Sequence, residues 1–295
     1  MAQEKEIRCF VCGAVAGATS RTVTAPLDRL RVLLQTNTTS SPMTVRQGMQ
    51  HIYQKGGLAG YYVGNGMNVL KHFPEAGVRF LTFERLKSVA ADLQGVKESD
   101  LGPVSRFLAG GCAGVLTTVV AYPFEVVKTR IQVSSDAKTS ALKLTREMWV
   151  REGGFSLYRG LLPSVMGIFP YAGFDFAMYE TLKKGILERG LIDSDSKYAP
   201  LVHMGCGIVS ASIGTTLVYP LHVVRTRLQA QSTVANGSEE LYKGMRDVFK
   251  RTYAREGVRG FYKGLLPNLC RVAPAASVSY CVYEQMKKLL NVETS

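Results

Sequence analysis

Pro123-Phe124-Glu125-Val126-Val127-Lys128-Thr129-Arg130-Ile131-Gln132 is the stretch whose reading decides the fold. The same pattern stands at Pro26-Leu27-Asp28-Arg29-Leu30-Arg31, closing at Gln35. It stands again at Pro220-Leu221-His222-Val223-Val224-Arg225, closing at Gln229, with a histidine in the acid's place. Pro26, Pro123 and Pro220 are 97 residues apart, so the chain is a tandem repeat before it is anything else. Proline, acid two residues on, base three further and glutamine four beyond that do not recur at a fixed interval by chance. The three units are residues 1–98, 99–195 and 196–295.

Two further motifs repeat. Glu152-Gly153 precedes Tyr158-Arg159-Gly160, and Glu256-Gly257 precedes Tyr262-Lys263-Gly264. Unit one has Gly56-Gly57 and Tyr62-Val63-Gly64, without the acid or the base. The other motif is Phe83-Glu84 with Lys87, Tyr179-Glu180 with Lys183, and Tyr283-Glu284 with Lys287. Its intervals of 96 and 104 residues place a longer loop in unit three, near Ala230–Glu240.

A mean hydropathy of +0.04 resembles that of a soluble protein, but the average hides six apolar stretches close to membrane-spanning length. They are Phe10–Pro26, Met67–Leu86, Pro103–Pro123, Pro163–Leu182, Pro200–Pro220 and Pro267–Met286. Each carries ionisable residues, among them Arg21, Lys71, His72, Glu75, Arg79, Arg106, Asp175, His203 and Arg271. Charge at membrane depth is costly, so these groups are expected to face a water-filled cavity. Glycine and other small residues are too abundant here for buried helices of a soluble protein. Small pairs at Gly13 and Gly17, Gly110 and Gly114, and Gly207 and Ala211 predict close helix packing. The prolines after them predict kinks. Amphipathic helices are predicted over Val45–Gln54, Ala141–Arg151 and Tyr242–Arg255. The loops after the proline motifs are basic, for example Lys138 and Lys143. The opposite connections mix Glu98, Asp193 and Asp195 with Arg189 and Lys197, which separates two faces.

The formal net charge of +13 points to an anionic partner. No recognition helix and no aromatic-plus-basic motif is present, which sets nucleic acid aside. The six cysteines include one C-x-x-C, Cys9 and Cys12, with neither a second pair nor a nearby histidine, so no metal site is expected. No phosphate-binding loop and no Ser/His/acid constellation marks an enzyme, and no catalytic residue or cofactor is assigned. Asn37-Thr38-Thr39 and Asn236-Gly237-Ser238 are glycosylation sequons only in a secretory chain, and no signal peptide is visible.

Three two-helix units predict an all-α membrane protein, a ring of six spans around a pore with threefold pseudosymmetry. At one end Asp28 is expected to pair with Lys128 and Glu125 with Arg225, while His222 and Arg31 make a weak third pair. At the other end Glu84, Glu180 and Glu284 face Lys87, Lys183 and Lys287. Two rings of breakable ion pairs suit an alternating gate. Asn68, Lys71, Glu75 and Arg79 follow steps of three and four, so they share one helical face. Gly167, Ile168 and Tyr171 offer an aromatic, small-residue surface for a planar ring. Arg21 and Arg271 add positive charge, which favours a phosphate ester. Glu75 and Asp175 oppose a bare polyanion unless a bound metal or internal pairing offsets them. Asp175 as a pairing group within the bundle and Gly167 as a packing position remain open alternatives.

On these residues the chain resembles the mitochondrial carrier family over essentially its whole length. The family motif P-x-[DE]-x-x-[RK] matches in all units except at His222, and [FY]-[DE]-x-x-[RK] matches in all three. The resemblance implies six tilted helices with short matrix helices, a matrix and a cytoplasmic salt-bridge network, and glutamine braces at Gln35, Gln132 and Gln229. It also implies a functional monomer in the inner mitochondrial membrane. Cardiolipin is implied near Arg159 and Gly160 and near Lys263 and Gly264, with Val63 leaving unit one without the equivalent base. Gly64-Asn65-Gly66-Met67-Asn68-Val69-Leu70-Lys71 with Pro74-Glu75, and Pro170-Tyr171-Ala172-Gly173 running to Lys183, are most similar to the ATP-Mg/phosphate branch. That branch also lacks the third acid. The implied activity is exchange of adenine nucleotides, as ATP-Mg, ADP or AMP, against one another or phosphate. Coenzyme A and adenosine phosphosulfate carriers of the same fold are alternatives, as is a non-exchanging proton-leak or scaffold protein. The branch's calcium-binding amino-terminal domain has no counterpart in these residues, so calcium regulation is expected to be absent or supplied elsewhere.

Overall fold

The computed structural model describes residues 2–37, 43–97, 100–134, 140–188, 199–231 and 241–290, and among them all regular structure is helical. The sequon residues Thr38, Thr39 and Asn236–Ser238 and the loop charges Glu98, Lys138, Arg189, Asp193, Asp195 and Lys197 lie outside the described residues, as does the side chain of Cys9. The helices are α1 (Ala2–Val23), α2 (Ala25–Thr36), α3 (Val45–Gly60), α4 (Asn65–Gln94), α5 (Pro103–Val133), α6 (Ala141–Glu152), α7 (Leu161–Glu188), α8 (Ala199–Ala230), α9 (Met245–Glu256) and α10 (Leu265–Leu289). Short 3-10 turns at Gly154–Tyr158 and Val258–Tyr262 lead into α7 and α10.

The three prolines act differently. Pro26 sits at the start of α2, where a missing N–H costs nothing, and so divides the first span into α1 and α2. Pro123 and Pro220 lie inside continuous helices. The stretches expected to be amphipathic are α3, α6 and α9. A capping box starts α3, with Gln47 N donating to Thr44 Oγ1 and Thr44 N donating to Gln47 Oε1.

Three of the six expected spans, within Pro103–Val133, Gly154–Ile186 and Val202–Ala230, are long and apolar enough to cross a membrane, with mean hydropathies of 1.6, 1.2 and 1.4. The α4 and α10 helices are also long, but Lys71, Glu75, Arg79 and Glu84 in one and Arg271 and Glu284 in the other dilute their hydropathy. Neighbouring helices close a ring: α4 packs on α5, α7 on α8 and α10 back on α1, with α1 against α4 and α5 against α7. The outer surface keeps Leu108, Leu116, Val120, Leu162, Met166, Val209 and Leu217 exposed, an apolar belt suited to lipid rather than water.

At one end α2, α5 and α8 converge on one another in pairs. The buried core sits here, as one apolar cluster per repeat that fastens a surface helix to its span. They are Leu30, Leu34 and Ile52; Tyr122, Val126, Val127, Ile131, Met148 and Leu157; and Val224, Leu228, Val248 and Phe261. Gly64, Gly160 and Gly264 hold the same place in the three repeats, each at a positive φ (83°, 86° and 78°). Each also lies against the next repeat: a Cβ would stand 3.4 Å from Lys128 O, 3.0 Å from Arg225 O and 3.0 Å from Arg31 O. Conformation and crowding both demand glycine there. Of the predicted small-residue contacts, Gly17 packs on His72 and Gly114 on Ile168, whereas Gly13 and Gly207 face open space.

Candidate functional site

Where α2, α5 and α8 meet, the ion pairs run between helices. Lys128 Nζ lies 2.6 Å from Asp28 Oδ2, and Arg225 contacts Glu125. These are the two cross-repeat pairs expected from spacing. The third differs: Arg31 turns to Asp28 at 3.2 Å and donates to Asn268 Oδ1 at 3.1 Å. A neutral imidazole offers Arg31 no charge, and among the described residues His222 joins no ion pair; it lies beside the Tyr219 ring. The glutamines also divide. Gln132 donates to Asp28 at 3.2 Å, Gln35 donates to the Tyr219 hydroxyl at 2.9 Å, and Gln229 accepts from Thr129 at 3.1 Å. Among the described residues only the first touches a floor ion pair with its side chain; the backbone carbonyls of Gln35 and Gln229 accept from Arg227 and Arg130.

Two cations expected to await a ligand are instead part of this floor. Lys71 Nζ lies 3.4 Å from Glu125 Oε1, and Arg271 Nη1 lies 3.3 Å from Asp28 Oδ1. Both acids therefore serve more than one base, and Lys71, Lys128, Arg31, Arg225 and Arg271 stand against Asp28 and Glu125. Asn68 and Asn268 bridge the excess: Asn68 Oδ1 accepts from Lys128 at 3.0 Å and from Arg21 at 3.4 Å. Asn268 Oδ1 accepts from Arg31 and, at 3.3 Å, from Arg271. Glu75 answers the question its charge raised, since it lies 3.5 Å from Arg21 and 3.6 Å from Lys71. Arg21 also meets His72 Nδ1 at 3.1 Å.

Above the floor a cavity of about 590 Å³ is lined by Glu75, Arg79, Gly114, Ile168, Tyr171 and Asp175, among others. Arg79 has no hydrogen bond or ion pair among the described residues and is exposed. Asp175 accepts from Ser210 Oγ at 2.6 Å. A smaller cavity of about 120 Å³ continues toward the floor, with Gly167, Ile168, Tyr171, His222 and Arg225 in its wall. Gly167 comes no closer to another helix than an ordinary contact, 3.9 Å from Leu221 to a built Cβ. Of the ten residues predicted to meet a ligand, five line the larger cavity, Gly167 lines the smaller, and Arg21, Asn68, Lys71 and Arg271 form the floor cluster.

At the far end the second set of charges pairs locally. Lys87 lies 2.8 Å from Glu84 and Lys287 lies 3.7 Å from Glu284, each along its own helix. Each base also sits over the aromatic ring of its motif, Phe83 or Tyr283. Among the described residues Glu180 and Lys183 make no ion pair, and none crosses between helices at this end.

Arg159 and Lys263, expected near lipid, close two interior triads. Glu152 holds Arg130 at 2.8 Å and Arg159 at 3.1 Å; Glu256 holds Arg227 at 2.8 Å and Lys263 at 2.7 Å. Burial works against the ionised Glu256, yet hydrogen bonds from Arg227 and Lys263 outweigh it and keep its carboxyl below the usual range. Leu33, Gly56 and Val63 replace all three members in repeat one. Arg130 and Arg227 were missed as functional positions although their signal was present, a base two residues past Lys128 and Arg225. Asn268 was missed too, although it precedes Arg271 by three just as Asn68 precedes Lys71.

The family model described as "Mitochondrial carrier protein" matches residues 3–93, 99–190 and 196–294. The chain is 44% identical over 293 residues to the "Calcium-dependent mitochondrial ATP-magnesium/phosphate carrier protein 2" of Arabidopsis thaliana, covering 98% of this chain and 58% of that protein. It is 40% identical over 286 residues to the "Mitochondrial adenyl nucleotide antiporter SLC25A24" of Mus musculus, covering 97% and 58%. Against the "Calcium-binding mitochondrial carrier SAL1" of Saccharomyces cerevisiae the identity is 37% over 319 residues, covering 96% and 58%. The chain thus spans somewhat under three-fifths of the length of these relatives.

Proposed function

The chain belongs to the mitochondrial carrier family, and on that premise we propose that it exchanges adenine nucleotides, against one another or against phosphate, across the inner mitochondrial membrane. The relatives named above as ATP-magnesium/phosphate carriers and adenyl nucleotide antiporters support this substrate class. The observation that carries the mechanism is the double duty of two cations. Lys71 neutralises Glu125 and also reaches Glu75 in the cavity wall, and Arg271 neutralises Asp28.

A phosphate chain entering from the open end competes for those two cations with a higher charge than either carboxylate. Taking them leaves Glu125 with Arg225 and Asp28 with Lys128 and Arg31, so the floor weakens while the ligand is held. The nucleotide does not need to supply the whole opening energy; it needs only to bind the opened form better than the latched one. As the floor parts, Glu84 and Glu284 exchange their local partners for bases on the next helix, Glu180 gains one, and the cytoplasmic end closes. The nucleobase occupies the Gly114, Ile168 and Tyr171 wall, across the cavity from Arg79. Cardiolipin at the repeat junctions near Gly160 and Gly264 and action as a monomer complete the reading.

The test is uptake of labelled ATP, with and without magnesium, and of labelled ADP into proteoliposomes loaded with unlabelled nucleotide, phosphate or buffer alone. Uptake that needs internal nucleotide or phosphate is expected. Uptake indifferent to the internal solute, or none of any nucleotide, overturns the proposal.

A further inference from the structure

We infer that Asp175 selects the nucleobase, its carboxylate accepting a hydrogen bond from the exocyclic amino group of adenine. The inference rests on the nucleotide reading above and adds which base the site takes. Asp28, Glu125 and Glu75 each have at least two bases within ion-pair distance. Asp175 has none among the described residues; it receives only the Ser210 hydroxyl, on Oδ1, at 2.6 Å. Ser210 itself is buried, so that bond fixes the carboxylate against α8 and leaves Oδ2 for a ligand. An unpaired carboxylate in a cavity with Arg79, beside a floor rich in cations, repels phosphate. It is tolerated where the bound molecule presents a donor.

The shape of the wall says which part of the ligand that is. Gly110, Gly111 and Gly114 line the cavity together with Ile168 and Tyr171, and Tyr171 lies one helical turn before Asp175. Phe107 and Phe169, edge to face at 6.2 Å, fill the space beside Gly111, where a built Cβ would collide with the Phe169 ring. The result is a partly aromatic, glycine-lined wall with the Asp175 carboxylate at its side, while the other carboxylate of the cavity, Glu75, is held by Arg21 and Lys71. The phosphate-binding cations Arg21, Lys71 and Arg271 belong to α1, α4 and α10, whereas Asp175 belongs to α7 and faces α8. Phosphates and base therefore take opposite walls. Adenine offers an amino donor at its six-position, where guanine and hypoxanthine carry a carbonyl oxygen. A carboxylate oxygen placed at that position accepts from the amino group and repels the carbonyl, since the donor that hypoxanthine and guanine do carry, N1–H, lies one atom further along the edge. Sites built around such a bond discriminate more strongly than apolar pockets do.

The experiment compares ATP with ITP, which carry the same phosphates and differ only on the edge of the base, where ITP has a carbonyl at the six-position and a hydrogen on N1. Uptake rate per concentration in proteoliposomes and the shift in thermal unfolding are both read. The wild-type protein is expected to favour ATP at least tenfold, and Asp175→Ala to bring the ratio near one, mostly by loss of ATP uptake. Asp175→Asn, whose amide can also donate to a carbonyl, is expected to level the ratio by gaining ITP, and it serves if the alanine variant does not fold. Equal handling of ATP and ITP by the wild-type protein overturns the inference. So does an equal fall for both in the variants, which would leave Asp175 only a tie between α7 and α8. A changed preference between magnesium-bound and free ATP with the base ratio intact also overturns it. Absence of all nucleotide transport would sink the substrate reading instead, a distinguishable result.

Discussion

At the closed end Asp28 pairs with Lys128 and Glu125 with Arg225, each across two helices. At the open end Glu84 and Glu284 pair with bases three residues on along their own helices. The motifs look alike on paper, an acid followed three residues later by a base. What separates them is whether a neighbouring helix end is near enough to offer a better partner. Where it is, the acid is drawn further from water, with Asp28 3% and Glu125 23% exposed. Where it is not, the acid stays wet, with Glu84 44% and Glu284 40% exposed. Buried pairs are costly to break and exposed pairs contribute about 0–1 kcal/mol. The same chemistry therefore holds one end together and leaves the other loose, and the proposed exchange requires those two conditions to change places.

Substitutions of acids by their amides should break this comparison unequally. Asp28→Asn removes the charge that neutralises Lys128, Arg31 and Arg271 together, and it should lower stability by about 3–5 kcal/mol, read as denaturant or thermal unfolding in detergent. His222→Asp should act in the opposite sense. Arg31, Arg225 and Arg271 all bear electrostatically on that position, so a third acid completes the floor. We expect a higher melting temperature and exchange slowed about tenfold, with unchanged exchange counting against a latch at the floor. Glu84→Gln should change stability by less than about 1 kcal/mol and still slow exchange several-fold, because its cross-helix partner is needed only in the other state. Stability loss at Glu84 as large as at Asp28 would erase the distinction between the ends.

The interval between Pro26, Pro123 and Pro220 makes the ring, its order and two of its three floor pairs legible in the sequence, because a repeat fixes which residues share a level. The roles of Lys71 and Arg271 were only half legible. Their helical face predicts that they look inward, but whether an inward cation waits for a ligand or already holds an acid depends on how deep α4 and α10 sit against α2 and α5. Arg159 and Lys263 show the same limit. Their expected lipid contact comes from the resemblance alone, and their pairing with Glu152 and Glu256, beside Arg130 and Arg227, depends on how the surface helices fold back on α5 and α8. Arg31 was expected to make a weak pair with His222, but a neutral imidazole offers the guanidinium no charge and it turns to Asp28 and to another helix. Asn268 is what it finds.

The claim that the two ends cannot be latched together is tested most directly by a distance across the open end. Spin labels at Val89 on α4 and Lys184 on α7, both exposed and outside either ring of charges, would be placed in cysteine-free protein with the floor intact or opened by Asp28→Asn with Glu125→Gln. The account predicts that opening the floor shortens the label-to-label distance, and that nucleotide shifts the intact protein toward the same shorter population. A distance that stays the same when both floor acids are neutralised, in protein that remains folded, would contradict it.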